Sequence, residues 1–351
     1  MDILSYFQHI QTTKEEILQA VLGGFLISLA STLNLLLTGR ITGWSSICYN
    51  AFTNPRESLY RWSNVLGLFM VSSLYTYHFG NDSHDSPNQF LGDISLRLFL
   101  FAGFLVGFGT KLGNGCTSGH GVCGLPRLSI RSIVAVCIFL FGGMAIATFR
   151  SIVPFESHGN LEYIAMSYIF QTQQFYGVVL CLTIFAILGL LFFQTFVRKD
   201  THHTKDILVS VLVGGIFGLG LITSGMVRKT KILGFLAVDK NWDPALIFVL
   251  LSAVGFNFIA FNTIIKNYQI PLVINQKLDI PTNTVIDFKL MFGALVFGIG
   301  WGLSGLCPGP VLINLFLYVP HIVLFLVCLI IGQVVADHFG VFLDKQKFKS
   351  L

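Results

Sequence analysis

Charged side chains are scarce in this sequence. It holds 22 Lys or Arg and 17 Asp or Glu in 351 residues, or 11%, whereas soluble domains carry roughly 25%. A soluble fold of this size needs more polar surface than so few charges provide. Intrinsic disorder is excluded as well, because it requires low hydrophobicity and high charge. With 54% hydrophobic residues and a mean hydropathy of +0.74, the chain is predicted to be an integral membrane protein.

Two further absences narrow the function. The net charge of +5 is scattered and forms no basic run, so nucleic acid is not expected as a partner. The seven cysteines include no Cys-x-x-Cys pair, which disfavours dithiol redox chemistry and most zinc sites. We therefore expect neither a cofactor nor a resident metal.

Apolar runs that approach the length of a membrane-spanning helix, about 20 residues, recur along the chain. They predict an all-α, multi-pass integral membrane protein with about nine transmembrane helices, and we expect it in the plasma membrane. The predicted spans are 17–38, 63–79, 96–112, 132–149, 174–197, 207–223, 244–265, 287–303 and 320–342.

Four of these spans lead into Gly-rich segments at 39–51, 113–126, 223–227 and 304–314. The segments are too apolar for surface loops, and we expect irregular, re-entrant backbone lining a cavity. The helix-plus-break pattern recurs at 23–46, 102–121, 214–226 and 293–309. In the predicted topology, the helices of the first two repeats enter the membrane from outside and those of the last two enter from inside. These opposite directions predict inverted repeats, with an N-terminal module at 1–197, a polar linker at 198–206 and a C-terminal module at 207–351.

The distribution of Lys and Arg favours one orientation in the membrane. Placing the N-terminus outside puts most cations near the helix ends in the cytoplasm, among them Arg40, Arg61, Lys111, Arg127 and Arg131. The cations of the segment 228–240 are the exception, because they would lie outside.

The most informative string runs from Gly113 to Gly124 and holds five glycines. Because glycine disfavours helix by about 1 kcal/mol each, we expect a re-entrant loop whose free N–H groups bind an anion. A capping loop around an inert cysteine is the alternative. The candidate pathway residues here are Cys116, Thr117, Ser118, Gly119, His120 and Cys123. Cys116-x3-His120-x2-Cys123 also suggests a metal site by residue type, but zinc would need a fourth ligand and another spacing.

The other breaks supply the remaining candidates. In the second half, Pro308 suits the first turn of a helix that restarts after Cys307. Cys48 follows the first break, and there a packed small residue and a pathway residue are equally good interpretations. Three cysteines at breaks suit a soft, sulfur-containing substrate more than sulfate. The further candidates are Ser224, Gly225, Ser304 and Gly305.

Three strings resemble the signatures of the YeeE/YedE family of sulfur-transport membrane proteins. They are GFGTKLGNGCTSGHGVCGLPRLSIRS (107–132), GLGLITSGMVRKTKILGFLAVDKNWDPALIFV (218–249) and FGIGWGLSGLCPGP (297–310). The resemblance implies two modules fused in one chain. It also implies uptake of thiosulfate or a related reduced sulfur anion, relayed between cysteines that include Cys116 and Cys307.

The resemblance implies a transporter rather than an enzyme. A membrane thiol–disulfide oxidoreductase that uses Cys116, Cys123 and Cys307 is the alternative, but such enzymes usually need a close cysteine pair. As partners we expect a small sulfur-containing anion, the lipid bilayer and a cytoplasmic sulfur carrier or sulfurtransferase.

Overall fold

The protein is helical throughout the part that its structure, a computed structural model, describes. The described residues are 12–54, 59–79, 85, 90, 94–153, 173–192, 194, 201–274, 277–316 and 321–349. Within these ranges the only β-type pairing is an isolated bridge between Arg40 and Asp279. The predicted all-α fold is confirmed.

The described chain contains twelve α-helices, one π-helix and two 3₁₀ turns. They are α1 (Lys14–Thr38), α2 (Trp44–Thr53), α3 (Leu59–Phe79), α4 (Leu96–Leu112), a π-helix (Thr117–Gly124), a 3₁₀ turn (Leu125–Arg127), α5 (Ile130–Ile152), α6 (Gln173–Phe192), α7 (Thr201–Thr223), α8 (Lys229–Leu236), α9 (Ala245–Asn267), α10 (Phe288–Ser304), α11 (Pro308–Ile313), a 3₁₀ turn (Asn314–Phe316) and α12 (His321–Lys349).

Each of the nine predicted spans coincides with a helix where it is described. Fewer than nine of the described helices, however, are long and apolar enough to cross a bilayer. By length and composition, five described helices can cross a bilayer alone: α1, α5, α7, α9 and α12. The helix α4 and the turns after it, bent by 44°, make a sixth. The apolar part of α6 and the whole of α10 are shorter. The chain is therefore a multi-pass integral membrane protein, and some of its apolar helices are shorter than a full span.

Four long helices, α1, α4, α7 and α10, each end at a break followed by a short helix. Every break contains a residue with left-handed backbone: Gly39, Asn114, Gly225 and Gly305, with φ between 58° and 75°. Left-handed backbone ends a helix, and Gly and Asn tolerate it best. The chain then restarts as α2, the π-helix, α8 or α11.

The prediction of irregular backbone across each whole break is wrong. Irregular chain is confined to 39–43, 113–116, 224–228 and 305–307, and even the glycine-rich string forms a π-helix from Thr117 to Gly124. Helix propensity is a weak preference that burial overrides. Here the ring of His120 occupies the space that a Cβ on Gly115 would need, and Ser132 occupies that of Gly124. Glycine is thus a packing requirement in a helical segment.

The helices α1 and α7 form an antiparallel pair. Gly23, early in α1, faces Gly220 near the end of α7. At the other end, Arg40 forms an ion pair with Asp206 near the start of α7, with 2.7 Å between Nη1 and Oδ1. Residues 201–206 of the predicted linker are therefore the first turns of a helix, and residues 198–200 lie outside the described chain.

The helices α4 and α10 form a second antiparallel pair. Gly113, just after α4, faces Gly293 early in α10, whereas Val106 faces Gly300 further along. Helices that open the first and third repeats, and the second and fourth, thus run in opposite directions. Inverted repeats require such directions. The division into modules at 198–206 stays a prediction.

Ion pairs mark the two ends of this helix bundle. One end, called here the basic face, carries four ion pairs: Arg40–Asp206, Lys111–Asp337, Arg131–Asp287 and Lys289–Asp344. Arg127 lies at the same end, beside Arg40 and Arg131 in one cavity wall. At the opposite face Lys231 contacts both Glu16 and Asp243, and Arg228 contacts Asp85. Two of the four cations that disagree with the predicted orientation, Arg228 and Lys231, are therefore paired with carboxylates on that face.

Candidate functional site

All four breaks contribute to one cavity of about 80 Å³ in the core of the bundle. Trp44 lines it from the first break, Cys116 from the second, Met226 from the third and Cys307 from the fourth. The remaining walls are apolar, with aromatic and aliphatic side chains that include Phe139 and others of α1, α5, α7 and α9. The cavity therefore combines a low-polarity wall with the polar ends of the short helices.

Cys116 lies at the N-cap of the π-helix and is 1% exposed. Its Sγ is 3.2 Å from the hydroxyl of Ser118. The same hydroxyl accepts the backbone N–H of Trp44, the first residue of α2, at 3.1 Å. One serine thus joins the second break to the first.

Cys307 occupies the equivalent place at the N-cap of α11 and is 4% exposed. The hydroxyl of Thr117 donates to its Sγ at 3.7 Å, and Pro308 begins the helix as predicted. Thr117 lies next to Cys116 in the chain, so the second and fourth breaks meet here. The structure brings together Cys116, Thr117, Ser118 and Cys307, which were predicted from two distant strings.

A second, polar cavity of about 310 Å³ lies toward the basic face. Gly119 and His120 line it from the π-helix, so successive residues of this helix face the two cavities. The cations around it are Arg40, Arg61, Lys111, Arg127 and Arg131. One carboxylate, that of Asp279, also lines this cavity, called here the vestibule. A cleft in which one sign of charge predominates attracts the opposite sign, so the vestibule suits anions.

The imidazole ring of His120 has hydrogen-bond partners at both of its nitrogens. Its Nε2 lies 3.1 Å from the carbonyl oxygen of Gly113, and its Nδ1 lies 3.1 Å from the hydroxyl of Ser132. A carbonyl can only accept, so Nε2 carries the proton and Nδ1 accepts from Ser132. With both nitrogens engaged, the ring fastens the break to α5.

Cys48 and Cys123 are buried but line neither cavity. Cys48 packs in α2 within the main core. The thiol of Cys123 donates to the carbonyl of Thr42 at 3.3 Å and lies in a separate apolar cluster. The structure thus separates Cys123 from Cys116 and His120, the other members of the candidate metal set.

The remaining predicted residues, Ser224, Gly225, Ser304 and Gly305, lie at the helix breaks but not in the cavity walls. Ser224 donates to a carbonyl of its own helix, and so does Ser304. Gly225 and Gly305 supply left-handed backbone. None of the four lines either cavity described above.

Sequence reasoning overlooked Trp44 and Trp301 as residues of the cavity wall. A signal existed for Trp44, because TGWSS stands at the first break as GCTSG stands at the second. Trp301 lies inside α10, where a tryptophan in an apolar helix gives no such signal.

Comparison with known proteins relates this chain to transporters. The profile of a family described as "Sulphur transport" matches residues 4–145, and that of a family of unknown function (DUF6691) matches residues 205–348. A protein of Xylella fastidiosa (strain 9a5c), named a probable transporter, is 35% identical over 137 residues, which are 39% of this chain and 92% of the relative. Another probable transporter, from Xylella fastidiosa (strain Temecula1 / ATCC 700964), is 41% identical over 134 residues, 38% of this chain and 93% of the relative.

The chain belongs to the sulphur transport family. Its two matches fall in separate parts of the chain, in keeping with the two-module YeeE/YedE organisation that the three strings resemble. The family and the relatives are described as transporters, so the chain is a membrane transporter and not an enzyme. All seven cysteines are described, and none is in a disulfide.

Proposed function

We propose that the transporter takes up thiosulfate or a related reduced sulfur anion, which passes between Cys116 and Cys307. The observation that carries this proposal is their common cavity, with Thr117 in contact with Cys307 and Ser118 in contact with Cys116. Each cysteine precedes the start of a short helix, where backbone N–H groups lack intrahelical acceptors. A thiol donor, a hydroxyl and such N–H groups can hold an anion without a buried countercharge.

The cavity wall supports a sulfur-containing substrate over sulfate. Taking an anion from water into an apolar site costs free energy, and few donors are present to offset that cost. A large, polarizable sulfur atom is the part of thiosulfate best suited to an apolar wall with thiols. The transfer between cysteines is by hydrogen bonds, so no covalent bond forms or breaks.

The direction proposed is toward the basic face, taken as cytoplasmic. The vestibule there would concentrate the anion after it leaves the cavity, because its rim is cationic. A cytoplasmic sulfur carrier or sulfurtransferase that receives the anion at this face is the partner we propose. The plasma membrane is the location that this direction of uptake fits.

Uptake of ³⁵S-thiosulfate tests the proposal in cells that lack other thiosulfate transporters. We expect Cys116→Ala and Cys307→Ala to abolish uptake at unchanged abundance in the membrane. Cys137→Ala, on the exposed side of α5, should leave uptake intact. Cys123→Ala is the control for buried volume, since Cys123 is as buried as Cys116 but contacts Thr42. Wild-type uptake by Cys116→Ala would contradict the relay.

A further inference from the structure

Two tryptophans of the cavity wall have indole N–H groups without an acceptor in the described part of the chain. Trp44 is 1% exposed and Trp301 is 3% exposed, and the Nε1 atom of each is buried. Both residues line the cavity that holds Cys116 and Cys307. Buried indole N–H groups usually find a hydrogen-bond partner, so two unpartnered ones at a single cavity require an explanation.

A third tryptophan of the same chain shows the usual arrangement. The Nε1 of Trp242 donates to the carbonyl of Phe235 at 2.8 Å, and Trp242 does not line the cavity. Among these three tryptophans, the two that line the cavity lack an acceptor in the described chain, and Trp242 has one.

Aromatic packing holds both indoles in place. The ring of Trp44 lies 5.2 Å from that of Phe217, between ring centroids. Trp301 stacks on Phe297 and meets Phe139 edge-on, at 6.0 Å in each case. A donor whose orientation is set by packing loses little freedom when a ligand binds.

The chemistry of the indole selects the kind of ligand. Its N–H donates and cannot accept, and a donor that is buried without a partner is satisfied only by an incoming acceptor. In this cavity the incoming group is an anion, because the cavity lies beside the helix starts at Cys116 and Cys307. Oxygen and sulfur atoms of a reduced sulfur anion are such acceptors.

We propose that Trp44 and Trp301 are substrate-binding residues of the transport path, each donating its indole N–H to the sulfur-containing anion in the cavity. This inference rests on the proposed function for the identity of the anion. The two residues come from the first and the fourth repeat, so an anion between them touches both halves of the chain. Cys116 and Cys307 then complete a ring of donors around it.

Transport kinetics supply the first test. Trp44→Phe and Trp301→Phe keep an aromatic ring and remove only the donor. We expect each to raise the KM for thiosulfate about tenfold, the loss of one hydrogen bond to a charged group. Trp242→Phe is the matched control and should keep the wild-type KM. A KM for both cavity variants equal to that of Trp242→Phe would overturn the proposal.

Nuclear magnetic resonance of the wild-type protein gives a second test that does not depend on the folding of variants. The protein labelled with ¹⁵N-tryptophan and placed in nanodiscs should give four indole N–H resonances, one for each tryptophan. Thiosulfate should move the indole proton resonances of Trp44 and Trp301 downfield and leave those of Trp62 and Trp242 in place. Single Trp→Phe variants assign the signals, and a variant that does not fold is assigned by elimination.

The same titration with sulfite and sulfate separates this inference from the proposed function. Absence of thiosulfate uptake by the wild type would overturn the substrate proposed above. In that case a shift of Trp44 and Trp301 with another of these anions would still support the indole donors. Unchanged Trp44 and Trp301 resonances with all three anions would overturn them.

Discussion

Ser118 is the residue on which the contact between two breaks depends. Its hydroxyl accepts the N–H of Trp44 and lies against the thiol of Cys116. A hydroxyl has one proton and two lone pairs, so it can serve both neighbours at once. Its loss would disturb the cavity without removing a cysteine.

We expect Ser118→Ala to reduce the rate of thiosulfate uptake about tenfold, because the buried N–H of Trp44 loses its acceptor at a cost of about 1–3 kcal/mol. Radiolabelled uptake at matched abundance measures the effect. Ser151→Ala, at an exposed position on α5, is the control and should transport like the wild type. Equal uptake by both variants would show that the serine link is dispensable.

Gly305 is a residue for which both backbone and space exclude a side chain. Its φ is +68°, and an added Cβ would lie 3.0 Å from the carbonyl oxygen of Lys229. We expect Gly305→Ala to lower the free energy of unfolding by about 1–3 kcal/mol. Gly255→Ala is the comparison, since nothing lies within 4 Å of its Cβ position in α9. Thermal unfolding in detergent measures both; a Gly305→Ala variant as stable as Gly255→Ala would contradict the argument.

At the scale of elements, the long helices approach each other through glycines. A Cβ on Gly107 of α4 would lie 1.8 Å from the carbonyl oxygen of Leu329 in α12, and one on Gly298 of α10 would lie 2.4 Å from that of Phe139 in α5. In a bilayer the hydrophobic effect does not drive helices together, so close backbone packing has to do so. The glycines therefore stabilise helix pairs.

We predict that Gly107→Ala separates α4 from α12 and destabilises the protein by about 1–3 kcal/mol or more, the usual effect of overpacking. Because α4 leads into the break with Cys116, uptake should fall as well. Gly189→Ala in α6, where nothing lies within 4 Å, should change neither property. Thermal unfolding and uptake are the two measurements, and unchanged values for Gly107→Ala would mean that the helix contact is looser than described.

At the scale of the whole molecule, the two faces of the bundle differ in charge and in their loops. The basic face surrounds the polar vestibule, while on the opposite face Lys231 is paired with Glu16 and Asp243, and Arg228 with Asp85. The number of Lys and Arg residues near the helix ends marks the cytoplasmic side of a membrane protein, and nearby carboxylates change this little. The basic face thus fits the cytoplasmic side predicted from the sequence, and the cations at 228–240 stay the exception.

Labelling with a membrane-impermeant maleimide tests this orientation in intact cells. In a Cys137→Ala/Cys181→Ala background, which lacks the two exposed native thiols, we expect Asn241→Cys to react from outside. Thr282→Cys, at an exposed position on the basic face, should react only after the membrane is permeabilised. The reverse result would invert the proposed direction of transport.

The class of protein and the places where helices break were readable from composition and local pattern. Few charges and long apolar runs leave no alternative to a membrane protein, and left-handed positions such as Gly305 coincide with the predicted breaks. These are local properties, because backbone conformation and hydropathy depend on neighbouring residues. The resemblance of the strings around Cys116 and Cys307 pointed to the family that the comparisons then showed.

Which residues line the cavity could not be predicted from local sequence. Cys116 and Cys123 are seven positions apart, and their directions depend on the π-helical backbone, which glycine content argued against. Trp301 lies far along the chain from Cys116, and the packing of α10 against α4 and α5 puts both on one cavity. Such contacts depend on how whole helices pack, since side chains distant in the chain meet only when burial of their helices brings them together.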